Sequence, residues 1–108
     1  MNELAGMIKE MGIPFAYDHF AEGESPSPPF ICYFLPGSNN FAADGKVYHR
    51  INRVKIELYT DFKDPSIEEK VTAVLDKHGI FYEQTEVWIE SEKLYEVVFS
   101  FEISMKGR

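Results

Sequence analysis

An alternation of apolar and polar residues in INRVKIELYT (51–60) constrains the fold of this chain more than any other feature. Val54, Ile56 and Leu58 are apolar, and charged residues stand between them. Successive side chains of a β-strand point to opposite faces, so the pattern predicts a strand with one buried face. KLYEVVFSFEISM (93–105) alternates in the same way. The chain is therefore expected to build a sheet that buries one of its faces.

The segment before this strand, PGSNNFAADGKVYHR (36–50), has the composition of a loop but carries the signal of a hairpin. Asp44-Gly45 is a dipeptide favoured in type I′ turns, whose two central residues need a positive φ. We therefore expect NNFAA and KVYHRI to be the two strands of a hairpin, the second of which continues into the long strand. A phosphate-binding loop would instead need Ser or Thr after Gly45-Lys46, followed by a helix, and the sequence has neither.

Two segments have the periodicity and the end signals of helices. In NELAGMIKEMG (2–12) apolar residues recur three and four positions apart, and Gly12 suits the left-handed residue that ends a helix. FKDPSIEEKVTAVLDKHG (62–79) has Asp64 as a capping residue, Pro65 at the first helical position, and Lys-His-Gly at its other end. Each helix is predicted to bury one apolar stripe.

The remaining apolar runs are expected to be strands. FAYDHF (15–20) predicts a short strand, FICYFL (30–35) a strand buried on both faces and ended by Pro36-Gly37, and IFYEQTEVWIE (80–90) one half of a hairpin with the last strand. No strand–helix–strand unit repeats, which disfavours a doubly wound parallel sheet. The predicted fold is α+β: an antiparallel β-sheet with a protruding hairpin and two helices packed on one face.

Length and charge bound the classes of function. A chain of 108 residues is expected to form a single domain, 1–108. Its 18 acids against 11 bases give a net charge of −7, whereas a nucleic-acid binder usually presents a basic patch. We therefore expect no sequence-specific nucleic-acid binding, and no apolar run is long enough for a membrane span. Cys32, as the only cysteine, fits a reducing cytosol and is expected to be a small buried residue rather than a reactive thiol.

The sequence lacks the motifs that catalysis or metal binding would need. Metal sites need clustered ligands, but His19, His49 and His78 fall in three different predicted elements. No G-x-S-x-G pattern marks a nucleophile, and Asp18-His19 is interpreted as a surface pair rather than a catalytic dyad. The acids near the end of the chain are interpreted as a solvated sheet face: Glu83, Glu86, Glu90 and Glu92. We expect no enzyme and no catalytic, cofactor or metal site.

A chain without such motifs is expected to act through its surface. Strand edges offer unpaired backbone groups to a partner, and a protruding hairpin with Phe41 and Tyr48 could extend the sheet of a neighbouring subunit. The same aromatic residues could equally fold back on their own sheet, and the residues alone leave both arrangements open. The candidate interface residues lie along the hairpin: Asn40, Phe41, Asp44, Lys46 and Tyr48.

Two long runs, NNFAADGKVYHRINRVKIELYTDFKDPSIEEKV and VWIESEKLYEVVFSFEI, carry a resemblance to a known family. They resemble small proteins of prophages and siphophages of Gram-positive bacteria, which are similar to tail completion, or tail terminator, proteins. The most specific parts are the Ala-Asp-Gly-x-Val-Tyr hairpin, the Ile-Glu-Leu-Tyr-Thr strand and the Glu-Ser-Glu-Lys-Leu-Tyr turn. The resemblance extends from Phe30 to Ile103 and contains no catalytic motif.

The resemblance implies a structural function in virion assembly. Such proteins form a ring, typically a hexamer, at the head-proximal end of the tail tube, so the implied partners are other copies of the chain, the tail tube protein and the head-completion protein. The implied location is the bacterial host cytoplasm during assembly and then the virion, with no cofactor and no membrane. The alternative interpretation is a stand-alone cytosolic binding module that recognises a peptide or small ligand on its sheet.

Overall fold

A five-stranded sheet and two helices make up the chain. The structure, a computed structural model, describes residues 2–43 and 46–106, with side chains at 3–36 and 52–103. The elements in chain order are α1 (Asn2–Lys9), β1 (Phe15–Tyr17), β2 (Phe30–Ala43), β3 (Lys46–Thr60), α2 (Pro65–Lys77), β4 (Tyr82–Ile89) and β5 (Leu94–Lys106). The strands lie in the order β1-β2-β3-β5-β4, which confirms the predicted α+β class.

β2 and β3 form one long antiparallel hairpin, which confirms the prediction from the Asp-Gly signal. Its ladder runs from the pair Phe30 and Tyr59 to the pair Ala43 and Lys46. The predicted end of the first strand at Pro36-Gly37 is wrong, because β2 continues through both residues. The register shifts between Phe34 and Gly37, and such a bulge accommodates a proline that has no N–H for the ladder.

β1 is the one strand that departs from the predicted antiparallel arrangement. It pairs with β2 in parallel, from Phe15 opposite Ile31 to Tyr17 opposite Tyr33, so the sheet is mixed. β1 is also shorter than predicted, because Asp18 has a φ of 66° and turns the chain away after Tyr17. The chain between β1 and β2 is long enough for the return that parallel strands require.

Both helices pack on the same face of the sheet, as predicted. In the antiparallel ladders Ile31, Leu58 and Val97 lie side by side on this face, and Tyr33, Ile56 and Phe99 form the next row. The side chains of these rows and of the two helices form a single buried cluster: Leu4, Met7, Ile8, Met11, Ile13, Ile31, Tyr33, Val54, Ile56, Leu58, Val71, Val74, Leu75, Val97, Phe99 and Phe101. Full burial of each large side chain contributes about 1.5–3 kcal/mol to folding.

The helix ends follow the signals read from the sequence. The Asp64 side chain accepts a hydrogen bond from the Ser66 backbone N–H at 3.1 Å, and Pro65 is the first residue of α2. Gly79 follows α2 with a φ of 68°. α1 ends at Lys9, and its last turn tightens into bonds such as Met11 N–H to the Ile8 carbonyl at 2.9 Å. Gly12 then has the predicted left-handed conformation, with a φ of 72°.

Candidate functional site

The far half of the β2–β3 hairpin, here called the arm, consists of residues 37–43 and 46–53. β3 pairs with β5 only from His49 onward, so in the described chain Lys46 to Tyr48 have β2 as their only neighbouring strand. β2 has 14 residues, which corresponds to about 46 Å of strand. The principal extents of 50 × 30 × 22 Å agree with one long dimension of this length. The predicted protruding hairpin is therefore present.

The candidate interface residues occupy defined positions along the arm. Asn40 is opposite Arg50 and Phe41 is opposite His49, whereas Ala42 is already opposite Val47. This shift leaves Tyr48 as the extra residue of a bulge in β3, and Lys46 begins the strand. Asp44 lies outside the described residues, as do the side chains of the other four. Whether Phe41 and Tyr48 contact their own sheet or a neighbour therefore stays a prediction.

The sheet has open edges on both sides. β1 covers β2 only from Ile31 to Tyr33, so β2 has no neighbour on its outer side from Phe34 to Ala43 within the described chain. On the opposite side β4 is the last strand of the sheet. Open edges expose backbone N–H and C=O groups that can pair with another chain.

β4 is exposed on both faces along nearly its whole length. Val87 is 49% exposed and Trp88 is 41% exposed, although both are large apolar side chains. Phe81, which immediately precedes the strand, is 95% exposed. Trp88 is held against Tyr95 with a centroid distance of 4.8 Å, and its indole N–H donates to Glu90 at 2.6 Å. The β4 edge thus presents aromatic side chains near both of its ends.

The acids of β4 do not form the single solvated face that the sequence suggested. Glu83 is opposite Ser100 and Glu86 is opposite Val97, so these two carboxylates lie on opposite faces of the sheet. Glu90 and Glu92 lie in the turn that follows the strand. The prediction failed because Glu83 and Glu86 are three positions apart, an odd spacing that reverses the side of a strand.

An ion-pair network joins β4 to the start of α2. The Lys63 ammonium donates to Glu68 at 2.7 Å and also to Glu86, and these two carboxylates raise the pKa of Lys63. The Gln84 amide donates to Glu68 at 3.2 Å. These contacts connect β4 to the start of α2.

The face of the sheet without helices carries a tyrosine between two carboxylates. The Tyr59 hydroxyl is 2.8 Å from Glu96 Oε2 and 3.0 Å from Glu57 Oε1. Burial raises the pKa of Glu57, as does the neighbouring Glu96, whereas the bond from Tyr59 lowers it. The pKa of Tyr59 itself is raised by burial and by both carboxylates. Phe30 stacks on the Tyr59 ring at 5.1 Å.

The thiol and the described histidines lie apart from one another. Cys32 is buried, which confirms the prediction, and burial raises the pKa of its thiol. His19 contacts Asp18 at 2.9 Å, and both side chains are largely exposed. His78 contacts Glu10 at 3.2 Å. Among the described residues no group of three His, Cys, Asp or Glu side chains is placed to hold a metal ion.

One open groove of about 1400 Å³ lies beside α1, between the end of α2 and the arm. Its apolar lining comes from several elements: Leu4, Met7, Ile80, Phe81, Phe101 and Ile103. Glu10 stands at its rim and bonds to Lys77 at 2.8 Å, and the bonds to Lys77 and His78 lower the pKa of Glu10. The groove is open and its lining is both apolar and polar, so it suits contact with a macromolecule better than chemistry on an enclosed small substrate.

Sequence reasoning did not identify the β4 edge as a candidate surface. The aromatic residues were visible in IFYEQTEVWIE, but a strand's position at the end of a sheet depends on pairing between distant segments. The exposure of Phe81 and Trp88 follows from that position.

No described helix is long and apolar enough to cross a membrane.

Comparison with known proteins connects this fold to a virion particle. No family model and no curated protein matches the chain. Among solved structures, a chain from "Virion of native gene transfer agent (GTA) particle" has the same fold, with a TM-score of 0.65 and 11% sequence identity. The match covers 95% of this chain and 86% of that chain.

Proposed function

We propose that the protein is a structural subunit of a tailed phage or prophage virion and completes the tail at its head-proximal end. The observation that carries the proposal is the fold shared with a virion chain over 95% of the present chain. The sequence resemblance to tail completion proteins of siphophages supports the same assignment. Its partners in this function are other copies of the chain, the tail tube protein and the head-completion protein.

The proposed function is not enzymatic. Two polar pairs that could suggest chemistry lie at the surface, His19 with Asp18 and His78 with Glu10. The remaining candidate features are surfaces: the arm, the β4 edge and the open groove beside α1. A subunit that contacts several partners needs several exposed surfaces.

The proposed assembly is a ring. A ring with cyclic symmetry requires two different surfaces on each subunit, because each subunit contacts one neighbour with one surface and the other neighbour with the second. The arm supplies the first surface. Its aromatic residues Phe41 and Tyr48 would anchor it on the next subunit, since aromatic side chains dominate the energy of many interfaces.

Light scattering after size exclusion tests the ring directly. We expect the wild-type protein to form a ring, and the double substitution Phe41→Ser with Tyr48→Ser to yield monomers of 12.5 kDa. Phe62→Ser is the matched control, because Phe62 is 60% exposed but lies outside the arm and β4. Circular dichroism of all variants should stay unchanged.

Two results would contradict the proposal. One is a wild-type protein that stays monomeric both alone and with tail tubes. The other is a genomic neighbourhood without a major tail protein and a tape-measure gene downstream. A ring that survives the double substitution with unchanged affinity would show that Phe41 and Tyr48 belong to the fold of the subunit itself.

A further inference from the structure

The outer edge of β5 is open beyond the point where β4 begins. β4 pairs with β5 only as far as the pair Tyr82 and Phe101, whereas β5 continues to Lys106. From Glu102 to Lys106, β5 therefore has β3 on one side and, within the described chain, no strand on the other. A strand placed at these positions would continue the line of β4 and pair with backbone groups that have no partner strand.

This open stretch of β5 borders the groove beside α1. Phe101 and Ile103 of β5 line the groove of about 1400 Å³, as does Phe81 just before β4. Leu4 and Met7 contribute the lining from α1. Because Phe101 and Ile103 face the helices and the side chains of a strand alternate between two faces, a strand paired with this edge would direct every second side chain into the groove.

The charged lining of the groove is mainly acidic. Its members are four glutamates and two bases: Glu3, Glu10, Glu83, Glu102, Arg53 and Lys55. Both bases already have an acidic neighbour in the chain. Arg53 contacts Glu102 at 3.6 Å, and Lys55 interacts with Glu57 on the same strand.

Two of the acids have no such internal partner. Glu10 bonds to Lys77 at 2.8 Å. Glu3 and Glu83, in contrast, are exposed and make no ion pair with any described side chain. Glu83 is opposite Ser100 and so lies on the sheet face turned away from the helices, whereas Glu3 lies on α1. A strand with apolar residues toward the groove and basic residues on its other face would therefore complement this opening.

We propose that the opening beside β5 binds an extended segment of a different protein, in which apolar and basic residues alternate. The segment pairs with residues 102–106 as an added strand, so that backbone hydrogen bonds supply affinity and its side chains supply specificity. Its apolar side chains lie in the groove beside α1, and its basic side chains lie near Glu83. Phe81, which is 95% exposed, is covered by the bound segment.

The other open strand edges of this chain lack the composition or the length to fill the opening, which argues against a second copy as the occupant. β1 and the outer edge of β2 along residues 37–43 contain no charged residue. β4 contains Glu83 and Glu86 but no base. β3 has an open edge only from Lys46 to Tyr48, which is shorter than the opening. The inference goes beyond the proposed ring and does not depend on it.

A titration with synthetic peptides tests the site. The probe is a heptapeptide of alternating valine and lysine with blocked ends, and its control has glutamate in place of lysine. Two further forms are N-methylated at all valines or at all lysines, which removes the N–H groups from one edge of the peptide or from the other. Nuclear magnetic resonance follows the amides of the isotope-labelled wild-type protein and of the Phe41→Ser, Tyr48→Ser variant.

The lysine peptide should shift the amides of residues 102–106 and slow their exchange, with a Kd below about 1 mM. The glutamate peptide should bind at least about tenfold more weakly, because like charges in an interface are strongly unfavourable. One of the two N-methylated forms should lose binding and the other should retain it, since only one edge of an added strand pairs with β5.

Substitutions at exposed positions test the side-chain contacts without disturbing the fold. Glu83→Lys should weaken binding of the lysine peptide by about threefold, as expected for an exposed charge pair. Phe81→Ser should weaken it by about fivefold or more through loss of apolar contact. Glu92→Lys is the matched control, because Glu92 is an exposed acid in the turn after β4, and it should leave binding unchanged.

Unshifted amides at 102–106 in about 1 mM lysine peptide, or equal binding of both N-methylated forms, would overturn the inference. Binding to the Phe41→Ser, Tyr48→Ser variant but not to the wild-type protein would show that a second copy fills the opening, and would overturn it too. These results leave the proposed ring standing. A wild-type protein that is monomeric in light scattering would instead contradict the ring and leave the peptide site intact.

Discussion

Removal of the Tyr59 hydroxyl should lower the stability of the protein in a way that depends on pH. Tyr59→Phe keeps the aromatic ring, and therefore the stacking on Phe30 at 5.1 Å. It removes the hydroxyl that lies 2.8 Å from Glu96 and 3.0 Å from Glu57. Two partly buried carboxylates then face each other without the donor between them.

The expected cost at neutral pH is about 2 kcal/mol in the free energy of unfolding, since hydrogen bonds to charged groups contribute about 1.5–3 kcal/mol. For a chain of this size the loss corresponds to a decrease in Tm of roughly 8–12 °C. The cost should depend on pH, because Glu57 has a folded-state pKa above its ordinary value of 4.5.

The sign of the pH dependence follows from proton binding. Below the ordinary pKa both the folded and the unfolded states hold the proton of Glu57, and between that value and the raised pKa only the folded state holds it. The contribution of this group to stability is therefore complete at low pH and is lost as the pH rises through the folded-state pKa. The bond from Tyr59 lowers the pKa of Glu57, so its removal raises that pKa further and enlarges the loss.

Urea unfolding of both proteins at pH 4.5 and pH 7.5 measures the difference. The deficit of Tyr59→Phe should be larger at pH 7.5. Adding Glu57→Gln to this variant should remove most of the deficit at pH 7.5, because an amide can donate to Glu96 and carries no charge. Tyr82→Phe is the control, since the Tyr82 hydroxyl has no hydrogen bond to any described residue. A deficit that is absent, or that is equal at both pH values, would refute the reasoning.

Three further predictions concern the helices and the core, and thermal or urea unfolding measures each of them. Asp64→Ala should lower the free energy of unfolding by about 1 kcal/mol because it removes the helix cap, whereas Asp64→Asn should retain most of that stability. Equal losses in both variants would contradict the capping role. Gly79→Ala should destabilise the protein by about 1 kcal/mol, because the φ of 68° at Gly79 is left-handed. Gly6→Ala, in an exposed helical position, should instead stabilise it by about 0.5–1 kcal/mol. Effects of the same sign at both positions would contradict the argument. Leu75→Ala should cost about 2–5 kcal/mol because Leu75 is fully buried, and a cost below about 1 kcal/mol would contradict the described core.

Local signals were sufficient to predict most of the elements. Asp64 and Pro65 fixed the start of α2 because capping and φ restriction act within a few residues. The alternation of Val54, Ile56 and Leu58 fixed the buried face of β3 for the same reason, and all three side chains are buried. The Asp-Gly dipeptide correctly predicted a hairpin between β2 and β3.

The errors arose where an element depends on a distant segment. Pro36 was expected to end β2, but the ladder with β3 resumes after a bulge and carries the strand through it. β1 has only 3 residues, and its parallel direction depends on the path of the chain between it and β2 rather than on its own sequence. The position of β4 at the end of the sheet likewise depends on pairing between distant segments of the chain.

The two candidate surfaces also differ in whether the sequence alone could predict them. The arm could be predicted from residues close together in the chain, including Asn40, Phe41, Lys46 and Tyr48. The β4 edge could not, because the exposure of Phe81 and Trp88 depends on the strand order β1-β2-β3-β5-β4.

Electron microscopy of labelled protein on tail tubes from the same phage or prophage tests the central claim most directly. The protein, carrying a small gold label, is added to purified tubes during elongation, and the position of the label and the length of the tubes are recorded. We expect the label at one end of each tube and an arrest of elongation in proportion to the protein added. Label along the sides of the tubes, or elongation at an unchanged rate, would contradict the proposed function in tail completion.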